Sequence, residues 1–182
     1  FAGLIDLDPA ASIDEQALRL AGRLATDSDE PQTASRGERW LAARWTNADA
    51  ASLAPLEIRS DGAYLVTGGF GALGRSLVKS LCHRGARHFV IASRSGATSG
   101  ERREFINDLA TRGARIDVEV LDLADAAAVS ALISRIDERQ LDLRGVFHLA
   151  GVIDDGVIAR QTADRFRSVW RAKATSAKNL HD

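Results

Sequence analysis

Residues 67–74 read T-G-G-F-G-A-L-G, which sets Gly69, Gly71 and Gly74 at the spacing G-x-G-x-x-G. Each glycine answers a physical need of diphosphate binding. One permits a tight turn from strand to helix, the next lets the backbone approach a pyrophosphate, and the third lets the helix pack close to the strand. The diphosphate then sits at the helix N-terminus, where free N–H groups and the helix dipole favour anions. The spacing alone is a weak signal, but its context is the one the motif requires. Tyr64, Leu65 and Val66 are an apolar run suited to a buried strand, and Leu73, Leu77 and Leu81, widened by Val78, make the apolar stripe of a following helix. The chemistry predicted is capture of a dinucleotide.

Further residues fall where such a fold brings ligands, at the carboxyl ends of its strands. After the second apolar run comes S-R-S-G at 93–96. A site for NAD would usually carry Asp or Glu here to bond the ribose 2′-hydroxyl; instead Arg94 offers a forked cation, with Ser93 and Ser95 as further donors. That suits a 2′-phosphate and predicts NADPH, the plainer alternative being a solvated arginine. Asp122 and Leu123 close the third strand, either as an acceptor and an apolar shelf for adenine or as turn and cap residues. Ala150 and Gly151 are small enough for a nicotinamide ribose to lie against their backbone, whereas His148 reads as a satisfied core histidine. Phe166, Val169, Lys173, Ala177 and Leu180 share one helical face, so Lys173 falls in the middle of an apolar stripe. A lysine on a buried face is costly unless paired or functional. It either snorkels to solvent or is directed at the cofactor ribose and a proton relay.

The elements that must hold these residues alternate regularly from Asp61 onward. The fingerprint strand and helix run to about Arg84 and stop at Gly85; His88–Ala92 is a strand; a helix starts at Ser99 or Gly100 and stops at Gly113. Ile116–Leu121 is the third strand, Asp125 caps the next helix, Val146–Ala150 is the fourth strand, and a final helix begins near Thr162. Strands alternating with helices predict an α/β, Rossmann-like doubly wound parallel sheet over residues 61–182. Residues 1–60 form a separate unit. It has a strand at Leu4–Leu7, a helix capped by Ser12, a polar loop from Thr26 to Gly37, a possible strand over Arg39–Trp45 and a linker from Asn47 to Ala54. Two strands and one helix make a poor independent domain, so this unit is expected to be the end of a larger one.

Composition narrows the partners. With 24 basic and 25 acidic residues and no one-sign block, the chain is not built for nucleic acid or an anionic membrane. Any local basic group must therefore answer to a small anion. Cys82, the single cysteine, excludes an internal disulfide and reads as a small apolar core residue. Four scattered histidines give no metal-ligand spacing, and no stretch reaches transmembrane length. These features predict a cytoplasmic protein. The chain contains no methionine and begins at Phe1, so it reads as a processed piece or an excerpt of a longer polypeptide.

Taken together, Y-L-V-T-G-G-F-G-A-L-G at 64–74, S-R-S-G at 93–96, F-H-L-A-G at 147–151, I-D-D-G at 153–156 and K-A-T-S-A-K-N-L-H at 173–181 resemble the ketoreductase domain of modular (type I) polyketide synthases. These domains belong to the short-chain dehydrogenase/reductase superfamily. Residues 1–60, through F-A-G-L-I-D-L at 1–7 and R-G-E-R at 36–39, resemble the end of the noncatalytic structural subdomain that precedes the catalytic one. The resemblance implies NADPH-dependent reduction of a β-ketoacyl chain carried on the phosphopantetheine of an acyl carrier protein, within a synthase of neighbouring domains. It assigns Thr67, Gly68, Gly69, Phe70, Gly71, Leu73 and Gly74 to the pyrophosphate region, Ser93, Arg94 and Ser95 to the 2′-phosphate, Asp122 and Leu123 to adenine, and Ala150 and Gly151 to the nicotinamide ribose. Lys173 matches the active-site lysine. Ile153, Asp154 and Asp155 resemble a Leu-Asp-Asp element linked to a D-configured hydroxyl product. The family's serine and tyrosine have no match within 1–182, Tyr64 lying in the fingerprint strand, so they are expected beyond it and this stretch alone should bind cofactor without catalysing. The alternatives are a catalytically silent NADP-binding or structural domain, and an extended reductase or epimerase, since T-G-x-x-G-x-x-G also fits 67–74. Lys173 and the Asp154–Asp155 pair favour the ketoreductase over the latter.

Overall fold

The five residues of β4 (Ala63–Thr67) are all buried, as a continuous apolar run at the centre of a parallel sheet demands. A computed structural model describes residues 3–47 and 56–182, and it divides into two compact units, Phe1–Pro55 and Leu56–Asp182. The second unit begins at Leu56 rather than Asp61. Ile58 packs against the core, the backbone N–H of Arg59 donates to the Tyr64 hydroxyl (2.7 Å), and Arg84 donates to the carbonyl of Leu56 (3.1 Å).

In the second unit, β5 (His88–Ser93), β6 (Arg115–Val120) and β7 (Leu143–His148) join β4 in a fully parallel sheet ordered β6-β5-β4-β7. The chain order reverses between β4 and β7, and a crevice opens there at the carboxyl ends of the strands. The helices α2 (Ala72–His83), α3 (Gly100–Thr111) and α4 (Ala126–Glu138) supply the crossovers. Tyr64, Val66, Phe89 and Ile91 pack on one face with Val78, Leu81, Cys82, Phe105 and Leu109; Leu65, Val90 and Ala92 pack on the other with Val129, Leu132 and Ile136. Alternate residues of the same strands thus feed two cores, the mark of a doubly wound sheet.

Local chemistry sets the ends of these helices. Ser99 and Asp125 cap α3 and α4 through their side-chain oxygens. Gly85 and Gly113, at φ +110° and +77°, end α2 and α3, with Ala86 N–H bonding Leu81 O and Ala114 N–H bonding Leu109 O. Gln140 ends α4 in the same way at φ +55°, without a glycine to announce it. The final helix is not continuous. It comprises α5 (Ala163–Trp170), a π-helical turn over Arg171–Thr175 and α6 (Ser176–His181).

The first unit contains β1 (Leu4–Asp6), α1 (Ile13–Leu24), β2 (Gln32–Arg36) and β3 (Arg39–Ala42). Ser12 and Glu15 form a reciprocal capping box on α1. The polar loop expected over Thr26–Gly37 is a loop only in part, because β2 lies within it and is the middle strand, parallel to β1 and antiparallel to β3. Q-T-A-S-R at 32–36 lacks an apolar alternation; backbone pairing on both sides and the fully buried Ser35 make it a strand. The strand expected over Arg39–Trp45 ends at Ala42, and residues 48–54 of the expected linker lie outside the described residues.

Candidate functional site

Thr67, the last residue of β4, organises the crevice without facing it. Its buried hydroxyl accepts the backbone N–H groups of Leu149 and Ala150, both at 3.1 Å, and lies 2.7 Å from His148 Nδ1. Two accepted bonds leave the hydroxyl's own proton for Nδ1, so the pattern assigns the imidazole proton to Nε2. That atom is buried with no partner among the described residues, so His148 is only half satisfied, contrary to expectation. The expected strand Val146–Ala150 instead runs Leu143–His148; Leu149 N–H still reaches the Thr67 carbonyl (3.2 Å), and the Thr67 hydroxyl gathers the Leu149 and Ala150 N–H groups where the chain leaves the sheet for the crevice.

Gly68 makes the tight turn at φ +67°, and a Cβ there would lie 2.7 Å from the backbone N of Ala150. The positive φ thus belongs to Gly68, and Gly69 packs against the Ile91 side chain instead. A Cβ on Gly74 would strike the carbonyl of Gly68 and Cα of Gly69, so its absence seats α2 against the turn. Gly71 is the N-cap of α2 and offers no side-chain acceptor, which leaves the first N–H groups of the helix open to an anion.

A cleft of about 400 Å³ runs along these carboxyl ends. Gly68, Phe70, Gly71, Ser93, Arg94, Ser95, Asp122, Leu123, Ala150 and Gly151 line it. Five residues expected at the cofactor do not line it, Lys173 among them, which borders a second groove instead. Thr67, Gly69 and Gly74 are buried behind the turn, and Leu73 is 76% exposed because the buried stripe of α2 runs through Gly74, Val78, Leu81 and Cys82. Phe70 is mostly buried and packs edge-on against Phe105. Ser93 Oγ accepts the N–H groups of Ser95 and Gly96 and so shapes the turn that carries Arg94. Asp122 is both a turn residue and a wall of the cleft: one oxygen accepts Ala124 N–H (3.0 Å) and the other Arg171 (2.9 Å). Those bonds hold its carboxyl below the usual range, the backbone bond contributing most. Asn179 of α6 donates to the carbonyl of Leu123 (2.9 Å), fixing that shelf.

The apolar stripe around Lys173 is not buried. Phe166 is 67% exposed and Lys173 is exposed, both lining a second groove of about 590 Å³ with Ile153, Asp154, Asp155 and Arg165. Lys173 lies within the π-turn, and its side chain passes the loop after β7, where a Cβ on Gly151 would meet the lysine Cε at 3.3 Å. Lys173 therefore stands where the two grooves meet. Arg165 clamps the neighbouring segment, donating to Asp154 Oδ1 (2.5 Å) and to the carbonyls of Asp154 (3.3 Å) and Asp155 (2.8 Å). The sequence did not single out Arg102, Arg165 or Arg171. Their roles depend on loop and helix register, which spacing does not reveal.

A parallel sheet with its crevice at the β4–β7 reversal, an uncapped glycine-started helix and a lysine beside the β7 loop define a Rossmann-like nucleotide-binding unit of the short-chain reductase type. The chain belongs to the ketoreductase (KR) domain family of polyketide synthases, an oxidoreductase family, whose family model matches residues 62–182. It is 46% identical over 123 residues to the Spectinabilin polyketide synthase system protein NorA of Streptomyces orinoci, covering 67% of this chain and 6% of that protein. Among solved structures it resembles A-type ketoreductases from a modular polyketide synthase at 36% identity and TM-score 0.78, covering 100% of this chain and 38% of that one. A C2-type ketoreductase from a modular polyketide synthase resembles it nearly as well, at 31% identity, 38% of that chain and TM-score 0.77. The chain thus spans well under half of the relatives it matches, and backbone likeness does not separate one ketoreductase type from another. No helix among the described residues is long and apolar enough to cross a membrane, and no acidic, His or Cys cluster among them could hold a metal.

Proposed function

We propose that this chain is the NADPH-binding part of a ketoreductase that reduces a β-ketoacyl thioester, carried by an acyl carrier protein, to the D-configured β-hydroxyacyl form. The observation that carries the reading is Lys173 against Gly151, at the junction of the dinucleotide cleft and the groove lined by Ile153, Asp154 and Asp155. The residues fit the cofactor. The bare N-cap at Gly71 leaves amide donors for a diphosphate, Arg94 stands exposed at the cleft for a 2′-phosphate, and Leu123 offers an adenine shelf. When bound, NADPH supplies hydride to a ketone carbon.

The chain's own residues bind, orient and hold charge. Gly68 and Thr67 turn Ala150 and Gly151 into the crevice, making a flat backbone wall for a ribose. Lys173 sets a cation beside that wall, where it can hold a ribose hydroxyl and favour proton delivery to the carbonyl oxygen. Ile153, Asp154 and Asp155, fixed by Arg165, border the groove that a substrate would enter. In the native polypeptide carrying this sequence, Lys173→Ala should lower NADPH-dependent reduction of a β-ketoacyl thioester roughly 10²- to 10⁴-fold. Unchanged turnover would remove Lys173 from the site. NADPH binding by the unaltered polypeptide without any turnover would turn the reading into that of a silent cofactor-binding domain.

A further inference from the structure

We infer that Arg102 is a second cation for the 2′-phosphate of the dinucleotide, acting beside Arg94; the inference rests on the NADPH reading. Arg102 is the third residue of α3, and the Ser99 cap holds its backbone N–H (3.3 Å). Its side chain turns back over the cleft, with the guanidinium carbon 5.1 Å from the centroid of the Phe70 ring. Nη1 donates to Ser95 Oγ (2.7 Å) and to the carbonyl of Gly96 (2.6 Å). The same side chain therefore touches the fingerprint turn and the turn carrying Arg94.

What points to a ligand is the absence of a counter-charge. Neighbouring Arg75 is paired with Glu101 at 3.0 Å, but among the described residues Arg102 meets no carboxylate, and its Nε and Nη2 donate to nothing. A half-buried guanidinium resting on an aromatic face and holding unused donors is stabilised by an anion in reach. The whole chain carries a net charge of only −1, so this is not the overflow of a basic surface. The ring and the two Nη1 bonds also fix the fork in advance, so little side-chain entropy remains to be lost when an anion docks. Because Ser95 Oγ accepts from Arg102, its own proton is free for the same anion.

The test is the dissociation constants of NADPH, NADH and 2′,5′-ADP, measured calorimetrically on the native polypeptide carrying this sequence. Arg102→Ala should weaken NADPH and 2′,5′-ADP roughly ten-fold and leave NADH unchanged. Arg102→Gln retains a donor for Ser95 and Gly96 without the charge. It should show the same selective loss, shrinking as salt rises. Equal losses for NADPH and NADH would reduce Arg102 to a brace for the turn, and no loss in either variant would end its role. If the unaltered protein binds NADPH and NADH alike, the 2′-phosphate reading itself fails. If Arg94→Ala discriminates between them and neither Arg102 variant does, only this inference fails.

Discussion

The two flanks of the crevice are made of different material. On the flank of β4, the fingerprint turn and β5, the residues are buried and the shape is a matter of backbone: a positive φ at Gly68, a hydroxyl under the Leu149–Ala150 turn, and an uncapped helix start at Gly71. On the flank of α5 and the loop after β7, Ile153 is 80% exposed and Trp170 70%, and shape is held by a guanidinium straddling Asp154 and Asp155. Core packing makes the first flank rigid and intolerant. The second depends on screened surface interactions, which contribute little to folding. Substitutions on the first flank should therefore damage fold and cofactor binding together. Substitutions on the second should alter the reaction and leave stability alone.

The hardest strike at the first flank is Gly68→Ala. A methyl group there meets the Ala150 backbone at 2.7 Å in a left-handed conformation. Strain and overlap should together cost about 2–5 kcal/mol and abolish measurable NADPH binding. Denaturant titration with NADPH fluorescence reads both effects. A variant of ordinary stability and affinity would show that the turn is not the rigid part. Thr67→Val is milder. It keeps the shape and removes the hydroxyl acceptor of Ala150 N–H, while Leu149 N–H keeps the Thr67 carbonyl, at a cost of about 1–3 kcal/mol. NADPH affinity should fall with stability, and Thr67→Ser should restore most of both. Lost affinity without lost stability would mean that Thr67 touches the cofactor after all.

The same contrast explains what the sequence could announce. Alternation of apolar runs with helical stripes, and caps at Ser99, Asp125, Gly85 and Gly113, mark the parallel sheet because each is a local requirement visible in residue type. Gln140 ends α4 without such a mark, and β2 is a strand only because two neighbours pair with it. At the site, the glycine spacing located the turn but not its geometry, since Gly68 rather than Gly69 carries the positive φ. Leu73 fits the helical period and still faces solvent, because period alone does not say which side of a helix meets the sheet. Of the stripe through Lys173, Phe166, Val169 and Lys173 line one groove, but the face is not buried and Leu180 packs on the sheet core instead. The π-turn over Arg171–Thr175 has no mark in residue type, the Arg102 and Arg165 bonds depend on how a loop folds back on the helix that follows it, and Arg171 reaches Asp122 across a long stretch of chain, so spacing carries no information on any of them.

Arg165→Ala probes the second flank and should move stability least. The Arg165 hydrogen bond holds the Asp154 carboxyl below its usual range. A carboxylate whose pKa is depressed by folding stabilises the native state above its ordinary titration range, and this is lost only as pH falls through the depressed value. At neutral pH the clamp is fully formed, so acid rather than base should loosen it. In the variant, Asp154 should titrate at a higher pH, readable from its side-chain carbon resonance. Tm and NADPH affinity should stay unchanged, while the β-hydroxy product shifts from one configuration toward a mixture, measured by chiral chromatography. Loss of NADPH affinity instead would mean that the two flanks are mechanically coupled. An unaltered configuration with the carboxylate titrating normally would mean that the segment is ordered by something other than its ion pair.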